Sequence, residues 1–165
     1  ILLIVACAMN RIMEMVIWSG VFLVTRRFTG GYHSPSQLLC ILTIQIGFII
    51  SVLVCEILKP SAYFCFEEIV VISGILITVA FGPVGSPKKP VTTDFYRKKK
   101  KELIVFVFII TGLFVLMIDS FPESKTLLYA FTSYTLAVIL VPIGYADNKI
   151  RFGIGSGVAD TNIHL

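Results

Sequence analysis

Two side chains in this sequence have the chemistry of a nucleophilic pair. His33 and Cys40 stand seven positions apart in GGYHSPSQLLC, residues 30–40. A thiolate is a nucleophile, and a neighbouring imidazole is the usual means of generating one near neutral pH. Ser34 is a good N-cap residue and Pro35 suits a first helical position. A helix is therefore predicted to start between the pair, with Cys40 about a turn and a half inside it and His33 in the preceding loop, free to fold back. Gly30 and Gly31 permit backbone angles that a side chain forbids, which such a fold-back demands. On spacing alone two readings stand: a reactive pair, or a histidine among lipid headgroups beside a packed thiol.

No third catalytic member is selected. Asp94, Asp147 and Asn148 fall on the expected face, Asp119 and Glu123 on the opposite one. A zinc site needs three or four ligands, and the second histidine is His164 near the chain end; no metal and no cofactor are expected. Cys7, Cys55 and Cys65 read as small buried hydrophobes. A Cys55–Cys65 disulfide across one short loop is compatible with the pattern but not required by it.

The elements that must position these residues are membrane helices. Hydrophobic residues make up 56% of the 165, mean hydropathy is +0.91 and 15% of residues are charged, against roughly a quarter in soluble domains. No long polar block interrupts the chain, so residues 1–165 read as a single membrane-embedded domain. The chain begins at Ile1 inside an apolar run, without a methionine and without the charged start and cleavage site of a secretory signal; residues upstream are expected.

A helix needs about 20 apolar residues to cross a bilayer. Four segments qualify, at 38–58, 64–82, 103–121 and 126–144. Asn10, Arg11 and Glu14 break residues 1–25 into two short pieces, read as a hairpin or interfacial pair. The expected fold class is an all-α integral membrane protein, a polytopic bundle of four spans plus one or two amino-terminal apolar helices. The connections are then 26–37, 59–63, 83–102 and 122–125, with a tail from Tyr145 expected to be flexible around Gly153, Gly155 and Gly157.

Successive connections alternate faces, and the cations divide unevenly between them. Arg26, Arg27, Lys88, Lys89, residues 97–101, Lys149 and Arg151 share one face, eleven of the fourteen, leaving Arg11, Lys59 and Lys125 for the other. The positive-inside rule makes the first face cytoplasmic, with His33 and Cys40 on it. Residues 97–101 also suit anionic lipid, each cation being worth about 1 kcal/mol at the surface. Lys88 and Lys89 lie between Pro87 and Pro90, away from the next span, where they could clamp an acidic peptide. No element is present to read a nucleic-acid groove.

Three motifs taken together, RRFTGGYHSPSQLLC, then GPVGSPKKPV about forty residues on, then YRKKKK, resemble the accessory gene regulator B family of bacterial membrane peptidases, which process quorum-sensing propeptides. The resemblance runs from Arg26 to about Lys101. Beyond Glu102 only hydrophobicity matches, and the family's amino-terminal part is expected to be missing. The resemblance implies a thiol endopeptidase of the bacterial cell membrane with His33 and Cys40 as its dyad. Arg26 and Gly31 match further positions the family needs, and Arg26, Arg27, Gly31, Lys88 and Lys89 are the expected substrate-binding residues. The implied substrate is an AgrD-like propeptide with an amphipathic leader, an internal cysteine or serine, and an acidic carboxyl tail that is removed as the peptide closes to a thiolactone or lactone. Membrane lipid is a further partner, and a homodimer fits spans that carry Gly and Ser.

Two other readings remain. A small transporter or channel for an anionic or peptide substrate would use His33 as a proton relay, yet mid-span polar residues are sparse: Gln45, Ser51, Ser73, Thr78 and Thr111. A non-catalytic scaffold would need neither His33 nor Cys40 reactive.

Overall fold

Runs of apolar residues punctuated by Asn10, Gly30 and the proline-bearing connections fold into helices that end at those breaks. The computed structural model describes residues 2–30, 37–58, 63–84, 93–121 and 124–152. They form six helices: α1 (Leu2–Ala8), α2 (Ile12–Thr29), α3 (Gln37–Ile57), α4 (Tyr63–Phe81), α5 (Thr93–Ser120) and α6 (Lys125–Phe152). Among the described residues the only pairing outside helices is an isolated parallel bridge between Gly30 and Val84.

The sixth helix is the hub. Within its apolar window 72% of residues are buried, against 33% in α3 and 28% in α5. Small residues allow this: Ala130, Ser133 and Ala137 are buried along α6 and let neighbouring backbones close in. Glycines on the partners admit its larger side chains, Gly47 of α3 receiving Leu136 and Gly74 of α4 receiving Tyr134. Trp18 ties three helices together. Its indole N–H donates to Ser51 Oγ at 2.7 Å, and its carbonyl accepts from Ser133 Oγ at 2.5 Å. Its ring stacks on Phe22 at 5.3 Å and meets Phe48 edge-on at 5.7 Å. On the other side of α6, Phe114 of α5 lies 4.4 Å from Phe131 and 5.3 Å from Tyr134.

The outer faces are apolar. Leu38, Leu42, Ile46 and Leu53 on α3 and Phe108 and Leu116 on α5 stand exposed, as side chains that meet lipid must. Among the described residues three helices are long and apolar enough to cross a membrane, over Leu38–Ile57, Tyr96–Ser120 and Lys125–Ile150. The sequence predicts four. The fourth predicted segment, 64–82, is occupied by α4, whose first two side chains lie outside the described residues and which is not among the three.

Helix ends differ from those that hydropathy suggests. Arg26 and Arg27, predicted to open a loop, form the last turn of α2, where cations complement the helix dipole. Residues 97–101, predicted to lie in a loop, belong to α5, which starts at Thr93. Lysine and arginine are good helix formers, and Lys99 pairs with Glu102 at 2.7 Å one turn on. The predicted tail from Tyr145 is instead helical as far as Phe152; Gly153, Gly155 and Gly157 lie outside the described residues. The two amino-terminal pieces are α1 and α2, reversing at Asn10, whose φ is 54°. All four cysteines are free thiols, so Cys55 and Cys65 form no disulfide; Cys55 is buried and Cys65 exposed.

Among the described residues the cations separate end to end. Glu56 binds Arg11 at 2.6 Å and Lys125 at 3.6 Å, joining the starts of α2 and α6 to the end of α3. Arg26 and Arg27 end α2 and Lys149 lies in the last turn of α6, so these three are at the opposite end. Residues 97–101 open α5, whose far end leads into α6, and Phe28 of α2 stacks on Phe106 of α5 at 4.4 Å.

Candidate active site

At the cation-rich end, α2 finishes against the segment that follows α4. Thr25 and Thr29 are buried, and Thr29 Oγ1 donates to the Thr25 carbonyl at 3.0 Å, a bond that spares a hydroxyl its burial cost. Gly30 caps the helix, its N–H donating to the Arg26 carbonyl at 3.0 Å. The Val84 N–H then donates to the Thr29 carbonyl at 3.0 Å. Gly30 has φ 67° and ψ −132°, a conformation open to glycine, and a Cβ there would run into the Val84 carbonyl. The two glycine-bearing motifs, GGYH and GPVG, thus meet through backbone.

The same turn sets Arg26 and Arg27 apart. Arg27 is exposed, whereas Arg26 is half-buried, its guanidinium 5.8 Å above the Phe22 ring. Burial lowers the proton affinity of Arg26, a shift that a thiolate at Cys40 would oppose, so the two side chains sit within electrostatic reach. Cys40 is the fourth residue of α3 and its thiol is exposed. The first turn of α3 leaves backbone N–H groups without intrahelical partners, one turn from that sulfur.

The structure therefore joins Gly30 to the start of the basic segment at Val84 and sets Arg26 within electrostatic reach of Cys40. His33, Gly31, Lys88 and Lys89 lie outside the described residues, as does the Asp94 side chain. Of the other acids and amides considered from the sequence, Asn148 is buried on α6 and Asp147 half-buried beside it. Asp119 is distant, facing Glu68 across a cavity between α4 and α5. Among the described residues no group of three or more His, Cys, Asp and Glu side chains could hold a metal ion. Sequence reasoning missed the Thr29–Val84 contact, since pairing between residues 55 apart leaves no trace in periodicity. It also missed Glu67, which is buried on α4.

The profile of the family described as "Accessory gene regulator B" matches residues 1–143. The chain belongs to that family. The match is wider than the motifs alone suggest, taking in α1 and the whole of α5 as well as most of α6. AgrB-like protein 2 of Clostridium perfringens strain 13 is 31% identical over 120 residues, 65% of this chain and 55% of that protein. An AgrB-like protein of C. perfringens strain SM101 is 30% identical over 119 residues, 64% of this chain and 54% of that one. The chain thus spans about half the length of these relatives. No solved structure matches it.

Proposed function

We propose that this member of the accessory gene regulator B family is a membrane cysteine endopeptidase of a quorum-sensing system. It cuts the acidic carboxyl tail from a precursor peptide and passes the retained part to ring closure. The observation that carries this reading is the exposed Cys40 thiol in the first turn of α3, within electrostatic reach of Arg26, in a chain that matches the family over residues 1–143.

The chemistry follows from those groups. His33 takes the Cys40 proton, and the sulfur adds to the carbonyl carbon of the bond before the tail. Free amides in the first turn of α3 and the positive end of that helix stabilise the oxyanion. The tetrahedral intermediate collapses with loss of the tail amine, which takes the proton from His33, leaving an acyl-enzyme thioester on Cys40. A thiol or hydroxyl within the peptide then attacks that thioester, forming the thiolactone or lactone and returning the thiol of Cys40. Arg26, Arg27, Lys88 and Lys89 draw the acidic tail to the same end.

Exchange of one acyl sulfur bond for another keeps the carbonyl activated, whereas water would discard that activation as a carboxylate. A nucleophile one turn into a membrane helix suits that need. In this reading α3 to α6 are four spans, residues 1–165 act as one domain, and the Arg26–Cys40 end is cytoplasmic by the excess of cations there. Ser51 and Ser73 donate to carbonyls of their own helices at 2.9 and 2.6 Å, which favours spans that serve packing over a polar transport lane.

The test is precursor cleavage by the full-length protein in liposomes, read by mass spectrometry. Cys40→Ala and His33→Ala are each expected to abolish release of the tail. Undiminished release by Cys40→Ala would refute the assignment.

A further inference from the structure

The run at residues 97–101 is one block of five cations in sequence and two sets once folded. Helix α5 turns about 100° per residue, which puts Arg97, Lys98 and Lys101 on one arc and Lys99 and Lys100 on the other. The first three are exposed and the last two half-buried. Lys99 is turned aside by its bond to Glu102 at 2.7 Å. The exposed arc does not stop at the charges. It continues along α5 through Val105, Phe108, Ile109 and Leu116, 57–75% exposed, and past Gly112, beside which nothing lies within 4 Å. Arg97, Lys98 and Lys101 are thus the charged end of the face that α5 shows to lipid.

Their depth is fixed by a separate feature. Aromatic side chains with a polar tip gather where a bilayer meets water. Tyr145 of α6 meets the Phe81 ring of α4 at 5.6 Å and lies within electrostatic reach of Tyr96 of α5. Tyr96 immediately precedes Arg97, so the three cations stand at headgroup level. The 28 residues of α5 make about 42 Å of helix against a hydrocarbon core of about 30 Å, length enough to carry its first turns into that layer.

We propose that Arg97, Lys98 and Lys101 form a docking face for anionic phospholipid headgroups, and that the precursor's acidic tail is captured by other cations. Arg97 and Lys101 are one turn apart on the arc and Lys98 stands beside them, so their fields add at the same phosphates. The chains of those lipids cover Val105 and Phe108 below, which lets one leaflet satisfy both the charged and the apolar part of the face. A soluble carboxylate tail would have to displace lipid that adjoins the site in excess. The inference needs α5 to cross the membrane and does not depend on Cys40 being the nucleophile.

The test uses the full-length protein carrying Cys40→Ala, so that lipid binding is read without turnover. Native mass spectrometry from micelles holding equal amounts of phosphatidylglycerol and phosphatidylcholine counts the lipids retained. Phosphatidylglycerol is expected to be preferred. Arg97→Gln, Lys98→Gln and Lys101→Gln together are expected to lower that preference on the order of tenfold or more, and Lys99→Gln with Lys100→Gln by less than about threefold. Absence of the preference, its survival in the triple variant or its equal loss in the double variant would overturn the face. The tail is the competing partner. In the cysteine-intact protein in liposomes of phosphatidylcholine alone, the triple variant is expected to keep KM for the precursor within about twofold of the unsubstituted protein. A rise matching that of Lys88→Gln with Lys89→Gln would assign the three cations to the tail and overturn the proposal. Cleavage by Cys40→Ala would defeat the peptidase reading and leave the lipid result standing.

Discussion

Arg26 and Arg27 are adjacent in sequence and opposite in setting. The first is half-buried over Phe22 and within electrostatic reach of Cys40, the second exposed. Arg26→Gln is expected to lower kcat on the order of tenfold or more, because the lost charge acts on the nucleophile. Arg27→Gln is expected to raise KM mainly at low ionic strength, where an exposed charge is least screened. Steady-state cleavage kinetics at two salt concentrations separate these outcomes, and equal effects of the two substitutions would contradict the placement of Arg26. Gly30 has a similar double life. Its freedom was legible in the sequence as a requirement of the turn before His33. The structure adds a second reason, the Val84 carbonyl where a Cβ would stand. Gly30→Ala is expected to cost about 1–3 kcal/mol of stability and to reduce cleavage with His33 and Cys40 both intact. Wild-type thermal stability in detergent would contradict that.

The helices were legible in place but not in extent. Hydropathy reports where a chain meets lipid, whereas a helix continues as long as its backbone bonds and propensities allow. Hence α5 begins ten residues before the predicted span at 103 and α6 runs eight beyond the one ending at 144. Arg26 and Arg27, predicted to open a loop, instead end a helix, since Gly30 rather than charge terminates it. Packing between helices was not legible, because a glycine admits Tyr134 only once α4 and α6 are side by side. Gly74→Val is expected to cost about 1–3 kcal/mol by overpacking. Glu56→Gln, at the exposed ion pairs with Arg11 and Lys125, is expected to cost less than about 1 kcal/mol. Unfolding followed by Trp18 fluorescence compares the two, and a larger loss for Glu56→Gln would show that the ion pairs rather than the α4–α6 contact hold the bundle.

At the scale of the molecule, the division of cations between two ends was legible from loop order alone, and Glu56 joining Arg11 to Lys125 fits that division. What the sequence left open was that the end of α2 meets Val84 through backbone and that Arg26 lies within electrostatic reach of Cys40, since both depend on how the helices pack. The orientation predicts that a cysteine introduced at Lys125 reacts with an impermeant thiol reagent on intact cells, and one at Arg97 only after lysis; the reverse pattern would place the Arg26–Cys40 end outside. The central claim is that Cys40 carries the peptide as a thioester. Rapid acid quenching of the full-length protein with its precursor, followed by intact and peptide mass analysis, tests it most directly. An adduct on Cys40 equal in mass to the precursor without its tail and less one water, absent in His33→Ala, is the expected result. Tail release at full rate with Cys40 unmodified at every time point would contradict it.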